Sequence, residues 1–138
     1  MEKRNLGNTG TKVGALGIGA MSFSDFYGPT NTQESHAILK MALDNGIDHI
    51  DTAKVYGMGL SEERIGQFLN TLSPNDRQFF KIATKGGIDR KNFDDKGTVV
   101  FDNSKEFLTE ELNNSLRRLG VDCVELYYVH RREADRPI

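Results

Sequence analysis

Short apolar runs alternate along the chain with longer segments whose apolar residues recur every three or four positions, which predicts strands and helices in turn. The predicted strands are 15–19, 47–51, 79–84 and 121–129. The predicted helices are 32–45, 61–72 and 103–119. Residues 1–14 precede them and predict a hairpin with Gly10 in its turn.

Each predicted helix has one apolar face and recognisable end signals. The expected buried faces are Ile38, Met41, Ala42 and Asn45 in the first helix, Ile65, Phe68, Leu69 and Leu72 in the second, and Leu108, Leu112, Leu116 and Leu119 in the third. Gly46 and Gly120 predict helix ends, and Pro74 predicts a break. Asn103 and Glu106 predict a capping box at the start of the third helix.

The order of these elements, a hairpin and then strands and helices in alternation, predicts one α/β domain with a parallel sheet and helices outside it. The connection over 86–102 is long, poor in apolar residues and rich in glycine, aspartate and lysine. Long connections in compact domains favour a functional role, so we expect a functional loop here. Residues 131–138 resemble the approach to another helix.

Composition narrows the class of protein. With 37% hydrophobic and 28% charged residues, the 138-residue chain is typical of a globular protein. The net charge is −2 and basic residues do not cluster, so we expect no nucleic-acid partner. The first residues contain no apolar h-region, and no apolar run approaches the ~18 residues of a membrane span, so we expect a cytoplasmic protein with no membrane partner. The single cysteine, Cys123, excludes an internal disulfide and is expected to be a small buried hydrophobe.

Four ionisable side chains of four types fall at the carboxyl ends of the predicted strands. Asp51 ends the second strand, and Tyr56 lies in the loop that follows it. Lys85 follows the third strand and His130 follows the fourth. Because ligands of parallel α/β sheets bind at the carboxyl ends of the strands, we expect these four side chains to form one site.

The four residue types also suit a common chemistry. Tyrosine, whose ordinary pKa is near ~10, is a poor acid at neutral pH, and a neighbouring ammonium stabilises its phenolate. An aspartate holds that lysine charged and oriented, while a histidine can donate a hydrogen bond to a carbonyl oxygen. Such a set would protonate a carbonyl oxygen while hydride reaches the carbon. None of the four donates hydride, so a nicotinamide cofactor is implied.

Each of these residues has a plain structural interpretation as well. Asp51 could cap a turn, Tyr56 could be a packed ring, and Lys85 could be a solvated charge. His130 could be a structural histidine. Their coincidence at strand ends is what favours a site.

Other polar residues give weaker signals. His49 and Asp51 share one strand face and could bind a metal, but no third ligand is apparent, so we expect His49 to pack and no metal site to form. His36 is expected in solvent. Glu125, if buried, needs a partner, for which an arginine at 117–118 is available.

Seven segments resemble those of the aldo-keto reductases, in order and over nearly the whole chain. They are 6–10 (LGNTG), 16–21 (LGIGAM), 50–57 (IDTAKVYG), 61–66 (SEERIG), 83–85 (ATK), 116–122 (LRRLGVD) and 126–131 (LYYVHR). The resemblance implies a (β/α)8 barrel of the TIM type, of which this chain holds the first half: the N-terminal hairpin and four parallel strands with intervening helices.

The resemblance also implies the site. The tetrad is Asp51, Tyr56, Lys85 and His130, with Tyr56 as the proton donor. The cofactor is NADPH, with contacts at Ala20, Met21 and Asp51. Lys54 departs from the family pattern, because many members carry an acidic residue there, but it lies outside the tetrad.

A (β/α)8 barrel needs about 250 residues. We therefore expect residues 1–138 to be the N-terminal part of one barrel domain, with a complete tetrad and an incomplete cofactor site. Such a part exposes apolar surface and strand edges, so we expect self-association or a missing C-terminal half. A truncated or cleaved protein, a half that pairs with a second copy and a piece of a split enzyme all fit.

Three classes of function follow. The leading one is an NADPH-dependent oxidoreductase that reduces a small-molecule aldehyde or ketone. The alternative is a non-catalytic, cofactor-sensing binding subunit, because channel-associated β subunits resemble this family. A metal-dependent hydrolase on a similar barrel is disfavoured by the shortage of metal ligands.

Overall fold

The structure is a computed structural model that describes residues 1–93 and 98–133. Its strands are β1 (Lys3–Asn5), β2 (Lys12–Gly14), β3 (Gly17–Gly19), β4 (His49–Asp51), β5 (Lys81–Gly86), β6 (Ile88–Phe93), β7 (Val99–Phe101) and β8 (Leu126–Val129). Its α-helices are α1 (Thr32–Asp44), α2 (Leu60–Leu69), α3 (Pro74–Phe79) and α4 (Lys105–Leu119). Two 3-10 turns, Ala20–Ser24 and Tyr56–Gly59, come after β3 and β4. Residues 94–97 of the predicted loop and 134–138 of the predicted helix approach lie outside the described residues.

Four strands form a parallel sheet in the order β3-β4-β5-β8, which confirms the predicted parallel α/β architecture. Helices connect the neighbours: α1 joins β3 to β4, α2 and α3 join β4 to β5, and α4 lies between β5 and β8. The register places Gly19 beside Asp51, and Asp51 beside Ala83. The carboxyl ends of these strands therefore meet at one edge of the sheet.

The core lies between the sheet and the helices. Its fully buried members include Leu39, Ile50, Ile65, Leu69 and Leu119. The predicted apolar face of α2 is confirmed, since Phe68 is buried as well and Leu72 packs against the same cluster. At Gly66, α2 and α4 come so close that a Cβ atom would lie 2.1 Å from the carbonyl oxygen of Arg118. Glycine is therefore required there by close packing.

The predicted face of α1 is wrong in part. The buried residues are Ser35, Leu39 and Ala42. Ile38 and Met41 are instead 43% and 68% exposed, and Asn45 is exposed as well. Ser35 tolerates burial because its hydroxyl donates to the carbonyl of Asn31 at 3.0 Å. A small polar residue whose hydrogen bond is made within the helix thus takes a buried position where large apolar residues were expected.

The third predicted helix also buries less leucine than expected. Leu119 is buried, whereas Leu108, Leu112 and Leu116 are half-buried. Glu111 is buried in their place, because its carboxylate pairs with the ammonium of Lys54 at 2.8 Å. The helix begins one residue later than predicted: Ser104, not Asn103, is the N-cap residue and accepts from the N–H of Phe107 at 3.3 Å.

The segment 86–102, predicted to be a long loop, contains the antiparallel pair β6 and β7, so it is not a loop throughout. A strand pair stabilised mainly by main-chain hydrogen bonds leaves little trace in the apolar pattern. The third parallel strand also starts later than predicted. Ser73 and Pro74 begin α3, which includes Phe79, so the strand starts at Lys81 and runs to Gly86.

The exposure of two side chains differs from the expectation. His36, expected in solvent, packs its ring against Phe68, and its Nε2 donates to the carbonyl of Arg64 at 3.0 Å. Cys123, expected to be buried, is exposed. The physical reason is that the predicted strand over 121–129 is reduced to Leu126–Val129, which leaves Cys123 in irregular chain.

Glu125 is partly buried and pairs with neither of the arginines that were available to it at 117–118. Its carboxylate accepts from the N–H of Ile82 at 2.7 Å and lies 3.8 Å from the ammonium of Lys81. The nearby Arg118 pairs with Glu62 instead. Glu125 therefore binds the start of β5 from the neighbouring segment.

The predicted N-terminal hairpin is present as β1 and β2. Asp48, just before β4, anchors it: the ammonium of Lys3 lies 2.5 Å from one carboxylate oxygen and the N–H of Gly14 donates to the other at 2.7 Å. Burial acts to raise the pKa of Asp48, but these hydrogen bonds outweigh it and hold that pKa below its usual range. The hairpin thus lies at the amino ends of the strands, away from the candidate site.

No helix within residues 1–93 and 98–133 combines the length and apolar character needed to cross a membrane.

Candidate active site

Three strands bring three polar side chains to one edge of the sheet. Asp51 is the last residue of β4, Lys85 is the last but one of β5, and His130 directly follows β8. The register pairs Lys85 with Tyr128, and the N–H of His130 donates to the carbonyl of Gly86 at 2.8 Å. The ladder thus continues one residue beyond β8 and holds His130 beside β5.

Lys85 is the centre of the site. Its ammonium donates to the carboxylate of Asp51, to the carbonyl of Thr52 at 2.8 Å and to the hydroxyl of Tyr56 at 3.3 Å. These three acceptors match the three hydrogens of an ammonium group. The side chain of Lys85 is only 13% exposed, so solvent screens these interactions weakly. The structure therefore brings three of the four predicted residues into direct contact.

Tyr56 is positioned by the 3-10 turn after β4. Gly57 and Met58 both have left-handed backbone conformations, with φ of 62° and 56°. At Gly57 a Cβ atom would lie 2.8 Å from the Cβ of Ser24, so the turn packs directly against the segment after β3. Met58 adopts a conformation that costs a non-glycine residue about 1–2 kcal/mol. This tight turn brings the Tyr56 hydroxyl within reach of Lys85.

His130 completes the cluster. Its ring meets that of Tyr56 edge-on, with centroids 5.8 Å apart and an interplanar angle of 88°. Burial, then the positive charges of Lys85 and Arg131, hold the pKa of His130 below its usual range, although Asp51 acts in the opposite direction. The imidazole is therefore neutral at neutral pH. Its Nδ1 is buried and has no hydrogen-bond partner among the described residues, so the ring retains capacity to bind a ligand.

A cavity of about 520 Å³ opens beside Tyr56 and His130. Its apolar lining includes Met21, Phe26, Val55, Met58, Ile88, Val99 and Phe101. Arg90 and Arg131 line it too, and the sequence pattern singled out neither. In the sequence, the length of the connection over 86–102 was the only signal that this segment lines the cavity. That length does not indicate which side chains of β6 and β7 face the cavity.

The two predicted cofactor contacts after β3 are placed differently. Met21 lines the cavity. Ala20 is fully buried, and its carbonyl accepts from the hydroxyl of Ser61 at 2.8 Å. Ser61 also lies 2.9 Å from the hydroxyl of Thr52, the residue whose carbonyl binds Lys85. The carbonyl of Ala20 thus helps to hold Ser61 and, through it, Thr52 in place.

Paired charges lie behind the site, between β5, α2 and α4. Glu62 is fully buried and accepts from the hydroxyl of Thr84 at 2.6 Å and from Nε of Arg118 at 2.7 Å. Lys54 and Glu111 form a second buried pair. Opposite partners offset the cost of removing such charges from water. Lys54 replaces the acidic residue that many aldo-keto reductases carry at this position, and Glu111 on α4 supplies the opposite charge.

His49 does not lie in a metal-binding arrangement. Its Nδ1 donates to the carbonyl of Lys81 at 3.2 Å, and its ring packs beside Gly17. In the part of the chain that the structure describes, no three side chains of His, Cys, Asp or Glu are grouped so as to hold a metal ion.

Known proteins are similar to this chain in sequence and in fold. A sequence profile of the Aldo/keto reductase family matches residues 15–138. The NADP(+) aldo-keto reductase yakc of Schizosaccharomyces pombe is 35% identical over 135 residues, which cover 98% of this chain and 38% of that protein. A probable voltage-gated potassium channel subunit beta of Arabidopsis thaliana is 34% identical over 138 residues, covering 100% of this chain and 40% of that protein. The chain thus spans about two fifths of the length of these curated relatives.

The fold comparison agrees. The holo form of the aldo-keto reductase AKR11C1 from Bacillus halodurans superimposes with a TM-score of 0.82 at 34% identity, covering 99% of this chain and 42% of that one. The parallel sheet and its helices are therefore those of part of an aldo-keto reductase TIM barrel, as the resemblance implied. The profile match extends over most of the chain, and we conclude that the chain belongs to the aldo/keto reductase family.

Proposed function

We propose that the protein is an NADPH-dependent oxidoreductase that reduces an aldehyde or ketone to the alcohol, with Tyr56 as the proton donor. One observation carries the proposal: a single ammonium, that of Lys85, contacts both the Asp51 carboxylate and the Tyr56 hydroxyl. This arrangement stabilises negative charge on the phenolic oxygen as its proton leaves. Family membership supports the same reaction class.

The residues divide the proton chemistry between them. Tyr56 transfers its phenolic proton to the carbonyl oxygen, and Lys85 stabilises the resulting phenolate until solvent returns a proton. Asp51 keeps Lys85 charged and oriented. His130, neutral because its pKa is lowered, donates a hydrogen bond from a ring N–H that orients the carbonyl oxygen toward Tyr56.

The site needs a reductant, and its residues fit a nicotinamide cofactor. None of the four side chains carries hydride, whereas the unpartnered, buried Nδ1 of His130 and the cavity beside Met21 leave room for a bound group. NADPH, when bound, supplies the hydride that adds to the carbonyl carbon. Met21 and Asp51 are the residues described here that would contact it. A relative named for NADP(+) supports this choice of cofactor.

Replacement of the proton donor tests the proposal. In the protein expressed from its whole gene, Tyr56→Phe should lower kcat for NADPH oxidation with a simple aldehyde by about 100- to 10,000-fold, because general acid catalysis is lost. NADPH binding, followed by fluorescence, should persist. Lys40→Met, a change of an exposed side chain on α1 far from the cavity lining, is the control. Turnover of Tyr56→Phe within twofold of the wild type would remove Tyr56 from the mechanism.

A non-catalytic binding subunit is the second candidate. The potassium channel subunit beta of Arabidopsis thaliana is as similar to this chain as the reductase from fission yeast, at 34% and 35% identity. The same assay distinguishes the two functions. A binding subunit would bind NADPH without aldehyde-dependent oxidation, whereas an oxidoreductase turns it over repeatedly.

A further inference from the structure

Two guanidinium groups line the cavity beside the candidate tetrad. Arg90 belongs to β6 and Arg131 follows His130, and both line the cavity of about 520 Å³ that also contains Tyr56 and His130. The described lining of this cavity includes no aspartate or glutamate. The cavity is therefore positively charged, although the whole chain has a net charge of −2.

Among the residues that the structure describes, no acidic side chain pairs with these two arginines. Lys85 is matched by Asp51 at the edge of the sheet. The charge of Arg131 reaches the site, since it is one of the causes, after burial and Lys85, that lower the pKa of His130. A cavity with two uncompensated guanidinium groups attracts anions.

We propose that Arg90 and Arg131 select a carbonyl substrate that carries an anionic group, a carboxylate or a phosphate. This inference rests on the proposed function, because Tyr56 and His130 hold the carbonyl end. The apolar side chains of Met58, Val99 and Phe101 contact the carbon chain in between. Guanidinium groups bind carboxylates and phosphates through paired hydrogen bonds, so either anion fits.

The position of the arginines favours the substrate over the cofactor phosphates as the anion. Arg131 is the immediate neighbour of His130, whose ring meets Tyr56 edge-on. Because Arg90, Arg131, Tyr56 and His130 all line one cavity, an anion bound by the arginines would share that cavity with the reacting carbonyl. This arrangement predicts an effect on substrate selection rather than on the affinity for NADPH.

Matched substrates measure the selection directly. In the protein expressed from its whole gene, kcat/KM is determined for 4-oxobutanoate against butanal and for glyceraldehyde 3-phosphate against glyceraldehyde. The wild type should prefer at least one anion over its neutral counterpart. Arg90→Ala and Arg131→Ala should each lower that preference about tenfold, the effect of losing one charge-assisted hydrogen bond. Arg117→Ala removes an exposed arginine of α4 and is the control, with the preference unchanged.

The arms of this experiment separate the possible failures. Equal use of anionic and neutral substrates by the wild type would overturn the inference while leaving the proposed function intact. A rise in the KM for NADPH with an unchanged substrate preference would assign the arginines to the cofactor and would also overturn it. Absence of reduction with all four substrates would overturn the proposed function and this inference together.

Two further measurements, the identity of the preferred anion and the salt dependence of the preference, complete the test. The substrate pair for which the wild type shows the larger preference for the anion identifies that anion as a carboxylate or a phosphate. Should an arginine variant fail to fold, ionic strength replaces it: between low and high salt, the wild-type preference should fall toward unity, because salt screens exposed guanidinium groups. A preference that salt leaves unchanged would contradict an electrostatic origin.

Discussion

Removal of the Lys85 ammonium gives the sharpest test of how this site stabilises charge. The ammonium nitrogen lies 3.3 Å from the Tyr56 oxygen. At that separation and an effective dielectric constant of 20, it stabilises a full negative charge by about 5 kcal/mol. Asp51 opposes part of this, and the charge on Tyr56 is only partly formed in the transition state. A net contribution of about 2–3 kcal/mol remains, so Lys85→Met should lower kcat roughly 30- to 150-fold.

The assay is steady-state NADPH oxidation with a simple aldehyde, using the protein expressed from its whole gene. Lys40→Met is the matched control, because it breaks an exposed lysine–aspartate pair on α1, with Asp44, and should leave kcat unchanged. Melting curves establish that each variant is folded.

A second variant isolates the cause. Lys85→Met leaves the Asp51 carboxylate without its ammonium partner, and that negative charge would itself disfavour a phenolate. The double variant Lys85→Met/Asp51→Asn removes both charges. If the missing ammonium is the cause, kcat stays low in the double variant; if the unpaired carboxylate is the cause, kcat recovers. A folded Lys85→Met protein with kcat within twofold of the wild type would refute the reasoning altogether.

Three further predictions concern stability and assembly. Arg118→Ala leaves the fully buried Glu62 carboxylate without its cation, so it should lower the free energy of unfolding by about 3–5 kcal/mol in urea titrations. The control Arg117→Ala should change the free energy of unfolding by less than about 0.5 kcal/mol. The pKa of His130 in the folded protein lies below its ordinary 6.5, so the unfolded chain binds more protons and the protein loses stability as pH falls from 6.5 through the folded-state pKa. His130→Gln should flatten this pH dependence of the free energy of unfolding between pH 7 and 5. An equally steep curve for the variant would contradict the lowered pKa. A polypeptide of residues 1–138 alone should self-associate and bind NADPH weakly, since β3 and β8 are edge strands of the described sheet; sedimentation showing a compact monomer with tight NADPH binding would contradict this.

Much of the fold could be predicted because its signals are local. Helical periodicity, Gly120 at the end of α4 and the apolar face of α2 all act within a few residues of one another. The predictions were wrong where the packing of whole elements decided which face of a helix is buried. Ile38 and Met41 are apolar yet exposed, because Ser35 and Leu39 face the core instead.

The buried charged residues also depend on contacts that the local sequence does not reveal. Glu111 lies at a position that hydrophobicity assigns to solvent, and only contact with Lys54, 57 residues earlier in the chain, makes its burial tolerable. Likewise, Glu62 is fully buried because Arg118 and Thr84 reach it from two other elements. Such pairs need both partners at once, so neither residue alone carries the signal.

The sequence by itself determined the parallel α/β class and the convergence of Asp51, Lys85 and His130, because residues that end parallel strands must meet at one edge of the sheet. It also indicated the family through its ordered motifs. Only the tertiary structure decided that one ammonium contacts both Asp51 and Tyr56, and that β6 and β7 place Arg90 at the cavity. The reason is physical: the succession of strands and helices along the chain follows from local periodicity, whereas a contact between side chains far apart in the chain depends on how whole elements pack.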